Sequence, residues 1–130
     1  MTVVALVRFR TATGEYAVPV ESVCEVVAAR GLSALPSPAP GVVGVLPREG
    51  GPVTVAASLG DGREHILVME DRGRTFGVLV DTVLGVVRVD ADAVDGSPPG
   101  QDTRLVSGML TVDGTLVLVA DVAALADGIL

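Results

Sequence analysis

Residues 14–27, GEYAVPVESVCEVV, return in altered form as residues 73–87, GRTFGVLVDTVLGVV. Aligning Tyr16 with Phe76 sets an offset of 60, under which Val18, Val20, Val23, Val26 and Val27 fall on Val78, Val80, Val83, Val86 and Val87. Valine matches alone would be weak in a valine-rich chain. The accompanying pairs carry more, because Glu21 with Asp81, Ser22 with Thr82 and Ala17 with Gly77 preserve charge, hydroxyl and size. A second pair of segments extends the repeat at an offset of 64, with Gly44 on Gly108, Gly50 on Gly114, Val53 on Val117, Val55 on Val119 and Ala56 on Ala120. The change of offset falls in the linkers 28–41 and 88–103, whose Pro, Gly and Ser content marks loops. The chain reads as a duplication, with repeat units of roughly 4–59 and 64–125.

Period two governs each unit. In TVVALVRFR, residues 2–10, both faces of a strand are largely apolar, and HILVME, residues 65–70, behaves likewise, so both strands are expected to be buried between layers. Asp113-Gly114 is a hairpin turn signal, as are the glycines at 14 and 73. Each half is expected to run strand, strand, Pro-rich crossing, strand, strand. Helix signals are few. Val23, Val26 and Val27 at i, i+3 and i+4 suit one or two helical turns, and Asp121 offers a cap for a short terminal helix stopped by Gly128. The expected fold class is all-β with short helices, as one domain over residues 1–130 in which two pseudo-symmetric, intertwined barrel halves pack on one another. At about 65 residues each, neither half has enough material to stand alone.

Composition supports this and narrows the function. Of 130 residues, 49% are hydrophobic but only 2% aromatic, so Val and other small aliphatics must fill the core, and β-branched side chains favour strands. A net charge of −7 and the near absence of aromatic rings argue against nucleic acid as a partner. Cys24 is the only cysteine, which rules out an internal disulfide and fits a reducing, cytoplasmic compartment. No apolar run approaches the ~18 residues of a membrane span, so direct membrane insertion is not expected.

Chemistry finds little purchase. His65 is the only histidine, which excludes a multi-histidine metal site, and it is expected to face solvent at the start of its strand. Cys24, matched by Leu84, is expected to be a small buried hydrophobe. The acidic run 90–96, DADAVDG, fails as a calcium loop, since Val94 stands where an oxygen ligand is needed and Gln101 where a Glu is needed. No Gly-Lys-Ser/Thr occurs, and the chain has no lysine at all. Asp81 and Asp121 are read as caps rather than as an acid–base pair. The expectation is a protein without catalysis, cofactor or metal.

The order Gly14-x-Tyr16-Ala17-Val18-Pro19-Val20-Glu21-x-Val23-x-Glu25-Val26, then Leu35-Pro36, then Gly41 to Leu46, then Phe76 to Val86, resembles the chemotaxis coupling protein family, the CheW-like domain. The similarity runs from about Val4 to Leu125. It implies two five-stranded SH3-like barrels around a shared core, and an adaptor that joins two partners. Those partners are the regulatory domain of a CheA-type histidine kinase and the cytoplasmic hairpin of a methyl-accepting chemoreceptor. A CheW-like module of a non-chemotactic kinase array, or a degenerate copy, is the alternative. By resemblance the receptor-binding positions are Val23, Gly44, Arg48, Glu49 and Val83. For Gly44 a tight backbone position serves equally well. The first half departs from the family's Gly-Val-Ile-Asn-Leu-Arg-Gly: the chain has Gly44-Val45-Leu46-Pro47-Arg48-Glu49-Gly50, so Glu49 takes the arginine's place and Arg48 sits one residue early. In a continuous strand that displacement would turn Arg48 to the opposite face, unless a bulge near Pro47 re-aims it.

Overall fold

Hairpins organise the chain, and two of them turn on residues with left-handed backbone. Arg72 (φ 49°) with Gly73 (φ 79°) and Asp113 (φ 49°) with Gly114 (φ 80°) put two successive residues at positive φ, the turn whose twist matches that of its strands. The computed structural model describes residues 1–101 and 103–130; Asp102, within the second expected linker, lies outside the described residues. The strands are β1 (Val3–Thr11), β2 (Gly14–Pro19), β3 (Val23–Ala28), β4 (Val42–Leu46), β5 (Val53–Ala56), β6 (His65–Asp71), β7 (Arg74–Val80), β8 (Thr82–Asp90), β9 (Val106–Val112) and β10 (Thr115–Ala120), followed by helix α1 (Val122–Ile129).

They form two five-stranded sheets, ordered β8-β1-β2-β10-β9 and β3-β6-β7-β5-β4. Moving five places along the chain converts one order into the other, so the duplication seen in the sequence is a duplication of topology. The halves are nevertheless exchanged. After β2, Pro19 and one 3-10 turn at Val20–Ser22 direct β3 away from its hairpin and onto β6. Each sheet therefore takes a hairpin from one repeat and three strands from the other. The closing pairs are parallel and equivalent: Leu118 with Tyr16 and Val119 with Ala17 in one sheet, Val55 with Gly77 and Ala56 with Val78 in the other.

Among the described residues three apolar clusters follow. The largest lies between the sheets and holds all three aromatic side chains, Phe9, Tyr16 and Phe76, together with Leu125, Ala126 and Ile129 of α1. Phe9 and Tyr16, opposed across β1 and β2, stack with centroids 5.9 Å apart. A second cluster, around Val55, Ile66 and Val68, fills the β3–β6–β7–β5–β4 barrel, and a smaller one, around Leu6, Ala17 and Val117, fills the other. β1 and β6 are buried on both faces for most of their length, as expected, although Val3 at the start of β1 is exposed.

Three local expectations need correction. The segment 21–27 forms a 3-10 turn and then a strand rather than helical turns, because its valines find a β6 ladder to pair with. Helix α1 is capped as expected, Asp121 Oδ1 accepting from Ala124 N at 3.1 Å, but it runs through Gly128 to Ile129 because Ile129 reaches the shared core. Asp81 acts through its backbone rather than as a side-chain cap: its N–H donates to Arg10 O at 2.9 Å.

The smaller barrel carries a charge at one end of its interior. Glu15, only 8% exposed, accepts from Arg8 at 2.7 Å and from Arg10 at 3.1 Å. In the other repeat the matching residues are Val68, Glu70 and Thr75. Burial by itself pushes the Glu15 carboxyl up, and the hydrogen bonds and charges of Arg8 and Arg10 outweigh it, leaving the group below its ordinary value of 4.5. A carboxyl held low in the fold binds fewer protons folded than unfolded below that value, so its stabilisation is complete above pH 4.5 and is lost as the pH falls through the folded value. Glu15→Gln is expected to cost about 1–3 kcal/mol at pH 7 and to flatten the acid limb of a stability–pH profile from urea melts. An unchanged acid limb would show that Glu15 does not set it.

Candidate functional site: paired apolar edges and a charged barrel seam

β3 and β8 are outermost strands in equivalent places, one in each sheet. Val26 stands opposite Leu67, and Val86 opposite Val7; directly opposed residues share a face. Leu67 and Val7 are buried in the shared core, so Val26 and Val86 continue its apolar face beyond the point where it is covered. They are 42% and 58% exposed. Val20, in the turn that packs on β1 and β6, and Leu84 add further exposed apolar surface. Val23 and Val83 sit at the root of these edges, half-buried against the shared core. They are packing residues at the base of two apolar edges, whose reachable groups are Val20 and Val26 on one and Leu84 and Val86 on the other. The repeat alignment already paired Val26 with Val86; what it lacked was which face of the edge strand remains uncovered.

Exposure also reverses one expectation. Cys24 is exposed, not a buried hydrophobe, and so is its repeat partner Leu84. Alternation along an edge strand is interrupted at both places by a register shift, between Val23 and Glu25 opposite β6 and between Arg8 and Phe9 opposite β8. Residues in such a bulge leave the two-face pattern.

Gly44 has a structural reason. Ser33, in the Pro-rich crossing, pairs with Val45 by two backbone hydrogen bonds of 2.8 Å, and a Cβ on Gly44 would collide with the Ser33 carbonyl. Gly108 repeats this: Asp95 pairs with Met109, and a Cβ at 108 would lie 2.6 Å from Asp95 O. The glycine keeps room for the crossing to lie against the strand in both halves. Gly44→Ala should therefore destabilise the chain by about 2–3 kcal/mol, in the range of other overpacked interior positions. Urea denaturation would measure it, and a loss below about 0.5 kcal/mol would mean the crossing moves freely.

Arg48 and Glu49 lie beyond the pleat. Pro47 follows the end of β4, and residues 48–51 turn with Gly51 N donating to Arg48 O at 3.1 Å, helped by positive φ at Gly50 and Gly51. The register shift in β4 falls between Val42 and Gly44, not near Pro47. Strand alternation thus has no hold on Arg48, whose guanidinium forms an ion pair with Glu25. β3 and β4 are the two outer strands of the same five-stranded sheet, so this pair ties the open seam of the barrel. In the other barrel the matching residues are Gly85 and Val112, and Val87 and Val112 pack there on the apolar cluster. Exposed Glu49 lines a cleft of about 400 Å³ beside Cys24, Arg48, Glu70 and Thr75. The structure therefore brings Val23 and Arg48 to opposite sides of β3, places Val83 on the other sheet, and leaves Gly44 inside.

His65 is half-buried rather than fully solvent-facing, with Nδ1 3.4 Å from the Asp81 carbonyl, because it pairs with Ala28 at the end of β3. Among the described residues no helix is long and apolar enough to cross a membrane.

Comparison with known proteins agrees with this architecture. The family model described as the CheW-like domain matches residues 5–129. Among solved structures, the scaffolding protein TtCheW from Thermoanaerobacter tengcongensis superposes with a TM-score of 0.83 at 22% identity, over 94% of this chain and 86% of that one. A search among curated proteins gives no match.

Proposed function

The chain belongs to the CheW-like domain family, and from that premise we propose that it is a non-enzymatic adaptor coupling a chemoreceptor hairpin to the regulatory domain of a CheA-type histidine kinase. The observation that carries this reading is the pair of apolar edges on β3 and β8. They are related by the duplication, exposed, and rooted in one shared core. An apolar ridge of a helical hairpin fits such a surface, since Val20, Val26 and Val86 bury more area on binding while Val23 and Val83 hold the base in place. With no Trp, and with its three aromatics committed to the core, the surface lacks the usual strong anchors, so affinity rests on several small contacts made together.

The Arg48–Glu25 seam with Glu49 beside it supplies charge next to the apolar edge. We assign it to specificity: an ion pair at a rim selects partners by its electrostatics more than it adds affinity. Gly44 contributes through the position of the crossing rather than by contact.

The test is a binding measurement of the purified chain against a receptor hairpin fragment and the kinase regulatory domain from its own genome. Binding to both supports coupling. Binding to the kinase alone overturns the receptor half of the proposal, and binding to neither overturns the function while leaving the fold intact.

A further inference from the structure

A census of charge points to a second surface. Of nine arginines in this acidic chain, Arg8 and Arg10 pair with Glu15, Arg48 with Glu25, and Arg72 and Arg74 with Asp71 and Asp127; Arg104 is also engaged. Among the described residues Arg30, Arg63 and Arg88 have no ion-pair partner. Two of these three, Arg30 and Arg63, line the same cavity of about 600 Å³, together with His65 and Glu64.

The fold builds this cavity deliberately. The β3–β6 ladder ends at Ala28 opposite His65, and the 3-10 turn Ala29–Gly31 that follows lifts Arg30 over it. Ala29 N donates to Glu64 O at 3.0 Å and Glu64 N to Val80 O at 3.2 Å, which clamps the approach to β6. Gly62 passes so close to Val80 that a Cβ would lie 2.6 Å from its backbone, and this holds Arg63 at the rim. The floor is apolar, formed by Leu32 and Leu79 of the barrel core. An apolar floor under two guanidinium forks suits an oxyanion attached to an apolar body.

We propose that this cavity docks an acidic peptide segment of a partner protein, with one carboxylate received by Arg30 and Arg63 and a neighbouring apolar side chain resting on Leu32 and Leu79. Glu64 on the rim and the net charge of the chain weigh against multiply charged phosphates and favour a single carboxylate. The site adjoins the end of β3, where Ala28 lines it, but it is built from residues other than the exposed valines and stands whether or not a receptor binds them.

His65 is the only histidine, so its ring resonances report this cavity without ambiguity. The whole chain is titrated with a capped Leu-Glu dipeptide, a capped Leu-Gln dipeptide and inorganic phosphate, each up to about 20 mM, a range suited to the weak binding of small ligands. Leu-Glu should shift the His65 signals saturably and Leu-Gln should bind about tenfold more weakly. The Arg30→Gln, Arg63→Gln double variant should lose the Leu-Glu response, with its melting temperature unchanged because both side chains are exposed. Equal response to Leu-Gln, no saturable shift, retention in the double variant, or phosphate binding as strongly as Leu-Glu would each overturn the proposal.

Discussion

Phe76→Ala is expected to remove about 3–5 kcal/mol of stability, and to do so in a single cooperative unfolding transition. Phe76 is fully buried in the cluster between the sheets, opposite Met69, so truncation to Ala opens a cavity in the core that both repeats share. Against a total of about 5–15 kcal/mol for a domain of this size, the variant stands near the edge of folding. The single transition follows from the exchange of strands. Each sheet contains strands of both repeats, so neither repeat keeps a closed sheet when the other opens. For the same reason, residues 1–62 and 63–130 expressed apart should give the undispersed amide spectra of unfolded chains. Two transitions in the melt, or a folded spectrum from either piece, would contradict this account of the core.

Val26→Glu combined with Val86→Glu should weaken receptor-hairpin binding by more than about a hundredfold while shifting stability by no more than about 0.5 kcal/mol per site. Both side chains are exposed in the free protein, so little burial is lost there. In the complex each carboxylate would have to leave water without a partner, and that penalty falls entirely on binding. Calorimetry or pull-down against the hairpin fragment measures the first effect and a urea melt the second. Binding retained within about threefold would place the receptor elsewhere on the molecule. Loss of fold in the double variant would show the edges to be part of the core, and the single variants would then separate the two roles.

Much of this surface was legible as a pattern before it was legible as a place. The offset of 60 already matched Val23 with Val83 and Val26 with Val86, and in the fold these are equivalent positions on equivalent edges. Whether a valine faces the core or the solvent depends on what lies across the strand, and an edge strand has a neighbour on one side only. Cys24 shows the limit. Its match to Leu84 was sound, but the bulge beside it carries the side chain outward. Arg48 shows another: its displacement by one residue matters only inside a ladder, and Pro47 had already ended the ladder.

By itself the sequence determined strand content, duplication and the hairpin turns, because these depend on local backbone preference and on side-chain period within a few residues. Only the tertiary structure decided that the repeats exchange strands, that Gly44 and Gly108 make room for a crossing chain, and that Glu25 and Arg48 tie the barrel seam. Those facts rest on contacts between residues far apart in the chain. Period two tells which side of a strand is apolar, but it is silent on which strand lies beside it, and it is that pairing which positions the exposed valines of β3 and β8 and the arginines at the end of the β3–β6 ladder.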